Sequence, residues 1–167
     1  DDWFDMAQNL LDTRIGNDNY DIGHLISKGS GGGLATLNTF CVTGKKARGR
    51  TLHEDPTGDK FTVDYLIHEL GHQQGMPHTF AGDIGSCQGS NRNDGTSVEP
   101  GSGVSIMGYA GICGGDDIAT NSIPLFHPVS FQAWKAFQRD QIATCGRSVT
   151  NSAQRNNSPP RVSAHPP

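Results

Sequence analysis

Apolar residues recur at helical spacing in three stretches of the chain, and alternate in two others. Trp3, Met6, Ala7, Leu10 and Leu11 predict an amphipathic helix over 2–13. Gly16, Asn17, Asp18 and Asn19 form a turn signal, and alternation over 20–26 predicts a strand. A Gly/Ser loop occupies 28–33, followed by a short apolar run over 34–42. Residues 48–53 read as a further strand, an edge one given its arginines, and 55–59 as a turn. The clearest helix carries Phe61, Val63, Leu66, Ile67 and Leu70 and ends at Gly75, with Pro77 just beyond. Residues 83–103 are rich in Gly, Ser, Asn and Asp and predict an irregular loop. A last helix is expected over 130–143, with Phe131, Trp134, Ala136, Phe137 and Ile142 on its faces. From Arg147 onward the chain is polar and Pro-bearing and reads as a linker or tail, so the domain itself is assigned to 1–146 and the tail to 147–167.

Composition sharpens this picture in two ways. Gly stands at 22 of 167 residues and Asp outnumbers Glu by 14 to 3, a balance that favours turns over long helices. With a net charge of −4 and no Lys/Arg-rich run, the chain is expected to have no nucleic-acid partner. No apolar stretch has the length of a bilayer crossing, so no membrane association is expected. The first residue is Asp1, which predicts that a leader or pro-segment lies outside this sequence. Cys41, Cys87, Cys113 and Cys145 are widely spaced without a CxxC pair, unlike a thiolate zinc site. Their even number suits two disulfides in an oxidising compartment, hence secretion, with three connectivities open.

The chemistry is concentrated in His68-Glu69-Leu70-Gly71-His72-Gln73-Gln74-Gly75-Met76-Pro77-His78. Histidines four apart on a helix share one face, so both imidazoles can reach a single ion. Glu69 lies between them and can reach a water on that ion without ligating it. Gly75 can take a positive φ and reverse the chain, which lets His78 return as third ligand. Three neutral nitrogens and an open position describe a catalytic zinc site, with one Zn²⁺ per chain. Chance would assemble these five fixed positions roughly 3 times in 100,000 such chains. His24, His53, His127 and His165 lack ligand spacing and read as structural or exposed.

The run from His68 to His78 resembles the extended zinc motif of the metzincin metalloendopeptidases. Ser105-Ile106-Met107-Gly108-Tyr109 looks like that family's Met-turn, which would place Met107 as an apolar floor under the histidines. Within the metzincins the chain resembles the reprolysin (adamalysin) group, especially its bacterial secreted members. The residues from Tyr20 to Ser27 resemble the group's third strand, and those from Gly33 to Cys41 resemble the segment leading into its substrate-binding edge strand. The likeness covers about 2–145 and starts in the family's second helix, leaving out the first strand–helix–strand unit. Thr79 stands where animal and venom reprolysins carry Asp.

The resemblance implies an α+β fold of the α/β/α metzincin type, with a mixed sheet, the active-site helix and a loop-rich C-terminal subdomain bearing one long helix. It implies a secreted zinc endopeptidase acting on protein or peptide substrates. Zinc would polarise a water and the scissile carbonyl, and Glu69 would serve as general base and then acid. Tyr109, two residues past Met107, corresponds to a tyrosine that in some metzincins hydrogen-bonds the tetrahedral intermediate; otherwise it packs in its loop. The substrate would lie extended along Arg48, Gly49, Arg50 and Thr51. The cysteine pairing implied is Cys41 with Cys145 and Cys87 with Cys113. Lys45, Lys46, Arg48 and Arg50 read as edge-blunting charge or as a preference for acidic substrate residues. Asp116-Asp117 offers carboxylates of the kind Ca²⁺ takes, and otherwise reads as a solvated loop. Two alternatives are a non-enzymatic adhesion or binding module on a protease-like fold and a zinc hydrolase of small molecules. The intact Glu69 speaks against the first, and His78 with the Met-turn against the second.

Overall fold

A computed structural model of the chain describes residues 2–141. Helix α1, Asp2–Arg14, forms where expected, but its buried face is not the apolar stripe. Phe4 and Gln8 are buried, whereas Trp3, Met6 and Leu10 are about half exposed. The rotation follows from what Gln8 does. Its Oε1 accepts the Ala47 N–H at 2.8 Å and its Nε2 donates to the Tyr20 hydroxyl at 2.7 Å. A single polar residue thus docks the helix on the chain before the sheet, because a buried amide must find its partners.

Three strands make a small mixed sheet: β1 (Leu25–Lys28), β2 (Gly32–Ala35) and β3 (Gly49–His53). β3 lies in the middle, parallel to β1 and antiparallel to β2. Three expectations are corrected here. The alternating stretch over 20–26 is extended only from Leu25, because the chain before it is spent on turns and on Lys46. The Gly-rich loop contributes strand β2, whose Gly33, without a side chain, lets it approach the helix that carries Glu69. The segment Arg48, Gly49, Arg50 and Thr51 is not an edge strand, since it is hydrogen-bonded on both sides. Its charge is not edge-blunting either: Arg48 reaches Asp5 of α1 at 2.8 Å. Buried Lys46 donates to the carbonyls of Asn17 and Tyr20 at 2.6 and 2.7 Å, bracing the loop instead of meeting substrate.

The helix that carries His68 and His72 has two parts, a π-helical stretch Lys60–Ile67 and the α-helix α2, His68–Gln73. The i→i+5 ladder of the first part keeps residues four apart on one side. Val63 and Ile67 pack on the cluster of Met76, Ile106 and Met107, and the rings of Phe61 and Tyr65 lie 6.0 and 5.0 Å from that of His53. Buried Gln73 ties the helix to the sheet side: its amide donates to the carbonyls of Gly23 and Lys46, and its Oε1 meets His24 Nδ1 at 2.7 Å. His24 Nε2 in turn meets Thr51 Oγ1 at 2.8 Å.

Beyond Gly75 the chain is irregular until α3, Pro128–Gln141. That helix begins two residues earlier than the apolar spacing suggests, with a proline in its first turn, where no N–H is missed. His127 supplies the start: its Nδ1 accepts the Val129 N–H at 3.2 Å. Trp134 of α3 packs on the Met107 cluster and donates to Gln74 Oε1 at 3.2 Å. No helix among the described residues is long and apolar enough to cross a membrane. The residues of the tail, 147–167, and Cys145 lie outside those described, and with them the expected Cys41–Cys145 bridge.

Candidate metal centre and active site

Helix α2 places His68 and His72 on one face, and the chain then reverses. Gly75 has φ 87, the left-handed region that favours glycine, and a Cβ there would meet Asn38 and Phe137. The reversal returns His78 to the first two histidines. The Nε2 atoms of His72 and His78 are 2.9 Å apart, and those of His78 and His68 3.2 Å.

These are not ordinary hydrogen bonds. Each Nδ1 faces a backbone carbonyl: Ile106 O at 2.6 Å for His68, Met76 O at 2.8 Å for His72 and Asn91 O at 2.5 Å for His78. A carbonyl only accepts, so each Nδ1 carries its ring's proton and each neutral Nε2 presents a lone pair. Three lone pairs pointed at one another repel unless a cation sits between them. Zinc–nitrogen bonds of about 2.0–2.1 Å in a tetrahedron put ligand atoms about 3.3 Å apart, near the spacing seen. The residues therefore fit the metal, and no other cluster of three metal-ligating side chains occurs among the described residues. Burial drives all three histidines toward neutrality. His68 is held well below the usual range, with its two neighbours adding to the effect; His72 is pushed down to about 3 and His78 to about 4.

Glu69 sits beside this triad, with 7% of its surface exposed and its Oε2 without a hydrogen-bond partner in the protein. Its burial raises the carboxyl pKa to about 8. It occupies space that Gly33 of β2 leaves free: a Cβ on Gly33 would collide with the Glu69 side chain. Beneath the helix, Gly71 performs the same service for Met107, whose Sδ would lie 2.6 Å from a Cβ there. Met107 is fully buried in the cluster with Met76 and Ile106. Tyr109 stacks between His78 and Phe80, ring centroids 4.5 and 4.6 Å away, and its hydroxyl is pushed up to about 12 by burial and by Glu69. Clefts of about 370 and 380 Å³ open on the two sides of the site, and both are lined by Gly33, Glu69 and Tyr109.

Several site residues escaped the sequence reading. Asn91, Ile106 and Met76 act through main-chain carbonyls, which carry no side-chain signature. Glu99 was missed although it is one of only three glutamates. Its Oε2 accepts from the hydroxyls of Thr79 and Ser105, both at 2.5 Å, and its Oε1 from the N–H groups of Val104 and Ser105 at 2.9 and 3.0 Å. Burial pushes its pKa up, but the hydrogen bonds from Ser105, Thr79 and Val104 outweigh that and hold it below the ordinary carboxylate value.

The acids suspected of holding calcium are used otherwise. Asp116 accepts the Asp83 N–H at 2.9 Å and Asp117 that of Cys113 at 2.8 Å, so both cap the backbone of their loops. The Cys87–Cys113 bridge is formed, with Cα atoms 5.2 Å apart, and both cysteines pack with Phe80 and Tyr109 behind the site.

Three imidazoles converging on one point from a helix and its return, over a buried methionine, define a metallopeptidase-type centre on an α+β fold. Comparison with protein-family models agrees. Residues 2–132 match the metallo-peptidase family M12B, reprolysin-like, and the chain belongs to that family. A search of the curated proteins found no match.

Proposed function

We propose that the protein is a secreted zinc endopeptidase that hydrolyses peptide bonds in protein or peptide substrates. The observation that carries this reading is the convergence of three acceptor nitrogens beside a buried carboxylate oxygen that has no partner. His68, His72 and His78 would hold one Zn²⁺, which when bound supplies Lewis-acid polarisation of the scissile carbonyl and of a water. The unpartnered Oε2 of Glu69 is free to hold a water's proton as general base and would deliver it to the leaving amine. With a cation held by the histidines, Glu69 would favour its ionised form against the effect of burial, which would suit it to act as base near neutrality. Tyr109 remains a protonated donor throughout the physiological range and lines both clefts, which suits it to hydrogen-bond the carbonyl oxygen as charge develops there.

The substrate strand is reassigned with the sheet. Among the described residues β2 pairs only with β3, which leaves its other edge open, and Gly33 on it lies against Glu69. An extended peptide added there by main-chain hydrogen bonds would bring its scissile bond to the base. Secretion is supported by the Cys87–Cys113 bridge, which persists in oxidising compartments. The proposal takes 1–146 as the catalytic domain and 147–167 as its tail.

The test is hydrolysis of a peptide library by the parent chain, by the chain stripped with chelator and by Glu69→Ala. Cleavage by the parent alone, with zinc still bound to the variant, is the expected result. Zinc bound by a parent that cleaves no peptide would favour the binding-module alternative.

A further inference from the structure

The strand that carries the third histidine has no helix to hold it. Thr79, next to His78, is fully buried, and its N–H donates to the Met107 carbonyl at 3.1 Å. On its other side it faces Glu99, with a single parallel bridge pairing Phe80 and Glu99. Glu99 N–H donates to the Thr79 carbonyl at 2.9 Å, and Ala81 N–H to the Glu99 carbonyl at 2.8 Å. The Glu99 side chain then runs under the turn before Met107 and collects its four donors, two from residues on the backbone of that turn and two hydroxyls. Gly103, with φ 68, makes room for it, since a Cβ there would lie 3.2 Å from the Glu99 side chain.

We propose that Glu99 is a positioning residue for the metal centre: its buried carboxylate fixes the His78 strand to the Met-turn, and so sets the third imidazole over the methionine floor. Hydrogen bonding joins the His78 strand to the Met-turn through this group and the Thr79–Met107 main-chain bond, beside the packing of Tyr109 on His78 and Phe80. Glu99 reaches the hydroxyl of Thr79, the residue directly after His78, from 20 residues downstream. Without Glu99, two hydroxyls and two N–H groups would lose their acceptor, and the His78 strand would keep one main-chain tie to the Met-turn.

The inference rests on the zinc reading, and its test separates the two. Zinc affinity is measured by competition with a chromophoric chelator for the parent chain, Glu99→Ala, Glu99→Gln and Thr79→Val. The visible spectra of the cobalt-substituted proteins and the melting temperatures of the metal-free ones are recorded alongside. Glu99→Ala should weaken zinc binding about 10–100-fold, the range for residues that orient metal ligands, and alter the cobalt bands. Glu99→Gln should restore binding to within about tenfold of the parent, because its amide oxygen still accepts the two N–H groups and the hydroxyls can turn to accept from its NH₂. Thr79→Val, which cuts a single link, should cost about two- to fivefold. If Glu99→Ala fails to fold, Glu99→Gln and Thr79→Val decide the matter. Variants that melt lower when metal-free but keep the parent's zinc affinity and cobalt spectrum would reduce Glu99 to a loop brace and overturn the proposal. A parent chain that binds no zinc would instead overturn the metal-centre reading, and this inference with it.

Discussion

The small sheet and the irregular segment after Gly75 build opposite walls of one site, yet they are held in different ways. β1 and β2 contain no fully buried residue, and their order comes from a repeating main-chain ladder. The irregular segment has almost no ladder, but it contains Thr79, Phe80, Cys87, Ser102, Met107 and Cys113, all with under 2% of their surface exposed. Backbone groups there are satisfied one at a time, by Glu99, Asp116, Asp117 and the ring nitrogens of histidines. Regular structure supplies an open strand edge beside Glu69, and individually satisfied loops supply the third histidine of the cluster and the methionine beneath it. Order in such a segment depends on a few side chains, so single substitutions should act more locally and more sharply there than in the sheet.

The largest expected effect lies where the two walls meet. Glu69→Ala should lower peptide hydrolysis by about 10²–10⁴-fold with zinc retained, read by turnover and metal content; a loss under about tenfold would exclude it as the base. Next comes the sheet wall. Gly33→Ala drives a Cβ into the Glu69 side chain and should reduce kcat by about 10–100-fold, with zinc affinity unchanged. If zinc affinity fell as well, the walls would be less separable than the structure implies.

A third measurement concerns the loop wall alone. Cys87 and Cys113 are 26 residues apart, and the chain-entropy model values that closure at about 3.5 kcal/mol. Replacing both by Ser should lower Tm by about 10 °C, and it should shift the loop wall's amide exchange more than the sheet's.

The smallest effect is the pH dependence of the metal-free chain. The folded pKa values of His72 and His78, about 3 and 4, lie below the unfolded value of 6.5. The unfolded chain therefore binds more protons below about pH 6.5, and stability should fall as pH drops from there toward 4. Glu69 has the opposite sign: its folded value of about 8 exceeds 4.5, so its contribution is present at low pH and is lost as pH rises through 8. Urea midpoints against pH should show both limbs, and Glu69→Gln should flatten the alkaline one and steepen the acid one, where Glu69 opposes the histidines between about pH 4.5 and 6.5.

Much of the site was legible in the chain because its geometry is local. The i, i+4 spacing of His68 and His72, the reversal at Gly75 and the return to His78 follow from helix pitch and glycine's backbone freedom within eleven residues. The family likeness of the turn around Met107 and of the Cys87–Cys113 pairing carried the reading further. Tertiary structure alone decided which strand lies at the edge, because residues 48–53 look the same with one neighbour or two, and only the return of β2 settles the number. It alone turned α1 so that Gln8 is buried and Trp3 half exposed, since a buried amide must meet its hydrogen-bond partners at Ala47 and Tyr20 whatever the periodic stripe prefers. It alone brought Glu99 to Thr79 and Ser105. A carboxylate's partners across a long loop depend on where the chain folds back, which spacing along the sequence does not encode.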